Sequence, residues 1–143
     1  MIERCRWFLL SLGILWCGSG AAHGCAAASS GEPVTVPICV VVADPEKYDG
    51  KLIRVTGSVV SDGLEVTAVV DKSCGGKGMI LTRESPPGAL KKLDDAIFTG
   101  YPGTTDKYIT VTLTGTFHLI PGEVPQRTLV ASKVTNIRTT MKH

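Results

Sequence analysis

Residues 108–118 read YITVTLTGTFH, and residues 53–59 read IRVTGSV. Both alternate with a period of two. Ile109, Val111 and Leu113 share one face of the first stretch, while Thr110, Thr112 and Thr114 share the other. Ile53, Val55 and Val59 lie opposite Arg54, Thr56 and Ser58 in the second. Period two is the signature of a half-buried β-strand. Each stretch also carries a glycine in mid-strand, Gly57 and Gly115, among β-branched residues. Such a glycine weakens a flat strand by roughly 0.5–1 kcal/mol relative to alanine. Its use is a sharp bend where a strand coils from one side of a closed sheet to the other.

Further strands lie around these two. Ser61-Asp62-Gly63 is a turn, and Asp-Gly favours a hairpin. Alternation resumes over 64–70, and a Gly-rich loop (Cys74-Gly75-Gly76-Lys77-Gly78) leads to a short apolar strand at Met79-Ile80-Leu81. After Pro86-Pro87, residues 88–98 (GALKKLDDAIF) place Ala89, Leu90, Leu93 and Ile97 at helical spacing. The last strand is read over 128–137, with a bulge around Ser132-Lys133 where alternation slips. The expected order is strand, strand, strand, helix, strand, strand. That is an all-β class with one helix, in the order of a five-stranded OB-fold barrel.

The 143 residues suffice for one domain behind an address segment. Residues 1–24 read as a secretion signal: Arg4 and Arg6 precede the apolar run WFLLSLGILW at 7–16. That run is shorter than the roughly twenty residues of a membrane helix. Two cuts fit, one before Cys25, which would then carry lipid, and one after Ala28. Residues 25–36 read as a flexible linker, 37–139 as the domain and 140–143 as a tail. Removing residues 1–28 leaves 13 basic against 12 acidic residues and takes away both tryptophans. A near-neutral chain whose aromatics are Tyr48, Phe98, Tyr101, Tyr108 and Phe117 is poorly equipped for base stacking.

Cys39, Pro45, Tyr48, Gly50, Lys51, Ile53, Val55 and Gly57 form the pattern C-x5-P-x2-Y-x-G-K-x-I-x-V-x-G. This resembles small exported bacterial OB-fold proteins, mostly uncharacterised, and the wider set related to tRNA-anticodon-binding OB-folds. The likeness covers about residues 37–137. It implies a short helix over 38–43, where the β-branched run alone suggests a strand. Tyr48 is read as packing over the barrel mouth, and Asp49-Gly50 as the reversal into the first strand. Cys39 precedes that strand and Cys74 follows the second, at one end of this topology. A disulfide between them is expected, in keeping with an oxidising compartment.

No chemical constellation stands out. The glycines at 75–78 lack the spacing of a phosphate loop. Only His118 and His143 remain as histidines after residue 28, so no metal or cofactor is expected. Asp94 and Asp95 are adjacent on a helix and diverge. OB-folds bind oligonucleotides or oligosaccharides on the face of strands two and three. Here Glu65, Thr67 and Lys72, with Arg54 and Thr56 nearby, are the candidate face. These residues suit a glycan or a protein partner over nucleic acid. The expectation is a non-enzymatic binding module of the periplasm or cell envelope. The membrane would be reached only through a lipid on Cys25. A single-strand nucleic-acid binder and a lipid-anchored protein of structural role are the alternatives.

Overall fold

In the computed structural model, residues 31–82 and 86–143 are described. The expected signal at 1–24, Cys25 and both cut positions lie outside them. The elements run β1 (Val34–Thr35), α1 (Ile38–Ala43), β2 (Leu52–Ser61), β3 (Thr67–Asp71), β4 (Lys77–Leu81), α2 (Lys91–Phe98), β5 (Lys107–Ile120) and β6 (Gln126–Met141). Short 3-10 turns at Glu46–Tyr48 and Lys72–Cys74 precede β2 and β4. The architecture is all-β, with few helices.

One six-stranded sheet is ordered β1-β2-β3-β4-β6-β5, and β2 also pairs with β5. The five longer strands therefore form a ring. β2 is the shared member. Leu52–Val59 pair antiparallel with β5, and Ser58–Ser61 pair antiparallel with β3. Gly57 stands just before β3 joins. A Cβ there would lie 2.7 Å from the Val70 carbonyl oxygen and 2.8 Å from Val69 Cγ2, and it would collide with Ile38 Cδ1 from α1. Gly115 faces the bulged part of β6, where a Cβ would lie 2.7 Å from Ala131 Cα. Close approach of neighbouring chain, with no positive φ, is what both positions require.

β6 carries the expected irregularity near Ser132, since Thr114 pairs with Lys133 while Gly115 pairs with Ala131. A second irregularity lies between Thr110 and Thr112, which pair with Arg138 and Thr135. Asn136, in that stretch, adopts φ 53°. Extra residues in one strand increase its twist and bend, which lets two long strands wrap.

The ring is filled from both ends. Ile53, Val55, Val69, Ile109, Val111, Leu113, Phe117 and Leu129 form the buried middle. α1 contributes Ile38 and Val41, while α2 contributes Leu93 and Ile97 from one helical stripe. Burial of each such side chain stabilises the fold by roughly 1.5–3 kcal/mol. Tyr48 is buried in the same cluster, with Lys47 Nζ and Lys51 Nζ 5.7 and 5.9 Å from its ring centre. Gly50 turns at φ +71°, and its amide donates to the Phe117 carbonyl at 2.9 Å. Cys39 in α1 and Cys74 after β3 form a disulfide, with Cα atoms 5.6 Å apart.

Several boundaries differ from the sequence reading. Residues 34–36, placed in the linker, belong to the fold: Val34 and Thr35 pair parallel with Ile53 and Arg54, and Val36 is buried. The expected tail at 140–143 begins inside β6, where Thr140 and Met141 pair with Tyr108 and Lys107. The helix read over 88–98 starts at Lys91, because Gly88 has φ +80° and its carbonyl accepts the Lys91 amide in a turn. The strand read from Leu64 starts at Thr67, because Asp62 holds the intervening residues in a loop.

Two stability outcomes follow. Gly115→Ala lowers stability in urea by about 1–3 kcal/mol, whereas Gly122→Ala, with its nearest neighbour at 3.7 Å, falls within the smaller range of surface changes. Replacing Cys39 and Cys74 together by serine costs about 3–4 kcal/mol in the same assay, as expected for opening a loop of 35 residues.

Candidate functional site

A cleft of about 590 Å³ lies between the 62–66 loop and α2. Its floor comes from Ser61, Thr67, Leu81 and Leu93, and its rims from Leu64 and Glu65 on one side and Phe98 on the other. Leu64 is 77% exposed and Phe98 52% exposed. The cleft is thus flanked by two large apolar side chains that the core does not use.

The loop's shape is set by Asp62. Its carboxylate oxygen Oδ1 accepts the amides of Leu64, Glu65 and Val66 at 2.9, 3.0 and 3.1 Å. Three amides converging on one oxygen favour the ionised carboxylate. The Leu64 amide first, and the Val66 amide next, hold the Asp62 carboxyl below its ordinary value. Ser61 Oγ bonds Thr67 Oγ1 at 3.0 Å and accepts the Gly63 amide at 3.1 Å. Gly63, at φ +77°, packs against the Gly103 backbone, so the loop is braced from behind.

The opposite wall is braced by a lysine. Lys107 is 2% exposed, and its Nζ donates to the carbonyls of Thr99 and Tyr101 just beyond α2, with Asp106 Oδ1 3.9 Å away. A cation at a helix C-terminus opposes the helix dipole and satisfies its last carbonyls. Alternation carries the signal, since Lys107 has the same parity as Ile109 and Val111.

The five residues of the sequence-derived face are not gathered in one place. Glu65 and Thr67 line the cleft. Arg54 and Thr56 lie on the outer side of β2, where Arg54 Nε donates to Thr114 Oγ1 at 3.4 Å and the Thr56 and Thr112 hydroxyls are 2.9 Å apart. Lys72 sits beyond β3 with its Nζ 4.8 Å from the Tyr108 ring centre. The reading missed Leu64 and Phe98, whose exposure depends on where loop and helix end. His118 is half-exposed, its Nδ1 3.9 Å from Asp49 Oδ1, and lies outside the cleft lining. The cleft's lining residues offer hydroxyls and carboxylates but no histidine or cysteine among the described residues. Among the described residues, no three His, Cys, Asp or Glu side chains converge as metal ligands, and no helix is long and apolar enough to cross a membrane.

Comparison with protein-family models, with curated proteins and with solved structures returns no match.

The Asp62 network sets a pH dependence. A carboxyl held low in the folded state adds stability that is complete above its unfolded pKa and is lost as pH falls through the folded one. Asp62→Ala therefore lowers the melting temperature near neutral pH. The gap from the parent protein narrows as pH falls below about 4, where the unfolded chain's carboxyl begins to protonate, and closes once the folded carboxyl, held lower, has protonated too. Thermal scans of both proteins across that range test this.

Proposed function

We propose that the chain is an exported, non-enzymatic binding module of OB-fold type, working in the periplasm or cell envelope. The ring order supports the fold type: three strands, a helix and two strands, with the first of these closing on the fourth. A disulfide suits an oxidising compartment. OB-folds use the loop between their first two strands in ligand contact. In this chain that loop is 62–66, which forms one rim of the cleft.

The observation that carries the reading is the pair of exposed apolar side chains facing the cleft from a braced loop and a braced helix. Exposed large apolar groups beside a concavity mark an interaction site more than isolated ones do. Leu64 and Phe98 supply apolar contacts, while Glu65, Ser61 and Thr67 supply polar groups that fix register. That combination suits an extended segment of a protein partner with an apolar side chain seated between loop and helix. Ser61 Oγ, a hydroxyl of the cleft floor, is bonded to Thr67 Oγ1 and the Gly63 amide and not to a group that could serve as its base.

A photo-crosslinking side chain at position 64 tests this in an envelope extract. The reading expects a discrete protein adduct from position 64 that is lost with Phe98→Asp. It expects none from a crosslinker at exposed Val40 of α1, outside the cleft lining. Equal labelling from both positions, or none from position 64, contradicts it.

A further inference from the structure

We propose that the outer face of β2, β5 and β6 is a second binding surface, and that its ligand is an acidic polysaccharide. The surface lies apart from the cleft and does not depend on the cleft's occupant. None of its cations lines the cleft.

The strands themselves are charge-segregated. β2, β5 and β6 contain no aspartate or glutamate, although the chain as a whole is nearly neutral. Register then gathers the exposed cations. Arg54 pairs with Thr114, and Thr114 with Lys133, so one row across the three strands reads Arg-Thr-Lys. Four residues along β5, Ser58, Thr110 and Arg138 form a second row. Between them lies a row made only of threonine: Thr56, Thr112 and Thr135. Arg54, Lys133 and Arg138 are all exposed. No carboxylate among the described residues pairs with any of the three.

Strand spacing sets the scale. Arg54 and Lys133 are two strands apart, roughly 10 Å, and their row lies roughly 14 Å from that of Arg138. Cations this far apart, with hydroxyls between them, match a hydroxylated polymer that carries carboxylates along its length. The face is a sheet exterior, which favours an extended chain over a small molecule. A nucleic acid would need stacking platforms. The aromatic side chain on this side is Tyr108, and its ring is flanked by Lys72 and Lys142 with Nζ atoms 4.8 and 5.0 Å from the centre. A protein partner would need apolar anchors, and the rows between the three cations have none.

Titration of the purified protein with polygalacturonate tests the proposal, with neutral dextran and single-stranded oligothymidine as parallel probes. Polygalacturonate is expected to bind at low salt, to weaken steeply as salt rises, and to bind more tightly than either other probe. Arg54→Ala with Lys133→Ala and Arg138→Ala is expected to weaken binding by about tenfold or more, while Arg54→Lys with Arg138→Lys keeps most of it. Circular dichroism verifies folding, and the salt dependence of the parent protein stands as evidence by itself if the triple variant is unstable. Leu64→Asp, which disables the cleft, leaves polygalacturonate binding unchanged. The proposal is overturned by absent polygalacturonate binding at low salt, by a folded triple variant that binds like the parent, or by tighter binding of oligothymidine or dextran.

Discussion

The pairing of β2 with β5 is the constraint on which the remaining structure depends. Without it, β2 and β5 would be exposed edges of a long, twisted sheet rich in valine, isoleucine and threonine. Such edges invite pairing with other chains. With it, each of the five longer strands pairs with a strand on either side, and the inward residues of all five meet in one core. Closure is possible only because neighbours come very close at Gly57 and Gly115, and because β6 carries extra residues opposite β5. The same approach at Gly57 admits Ile38, so α1 closes one end of the ring where the disulfide also sits. α2 closes the other end, with Leu93 and Ile97 pointing inward and Phe98 left outside.

Much of this was legible in the sequence because period two is a local property. The strand at 108–118 declares itself, as do the strand at 53–59 and the helical stripe of Leu93 and Ile97. The slip near Ser132 also marks its bulge. The disulfide could be inferred because few cysteines remain after residue 28 and the topology brings two of them to one end. What escaped were the features set by a single side chain acting on the backbone. Leu64 and Val66 alternate as a strand would, yet the Asp62 carboxylate captures their amides and keeps them out of the ladder. Residues 34–36 resemble a linker until the parallel partner Ile53 is known. Lys107 was readable in principle, but a lysine on an inward face is easily assigned to solvent.

The functional surfaces were less legible, and the reason is register. Reading strands one at a time assigns Arg54 to an outward face. It does not show that Lys133 is two strands away in the same row, because that depends on a bulge earlier in β6. Likewise Glu65 and Thr67 look continuous with Lys72 along the chain. In space they belong to a cleft, whereas Lys72 belongs to the side that carries Tyr108. The fold thus presents a cleft flanked by two exposed apolar side chains and, elsewhere, a hydroxylated basic sheet face. On the account proposed above, the first receives a protein segment and the second an acidic polysaccharide, as suits a module working where envelope proteins and polymers meet.

Amide hydrogen exchange, resolved residue by residue, tests ring closure most directly. If the β2–β5 seam holds the fold together, the paired amides of Leu52–Val59 and Ile109–Thr116 exchange only through global unfolding and form one slow class with the core of β6. The account is contradicted if β5 and β6 stay protected as a hairpin while the β5-facing amides of β2 exchange early and independently.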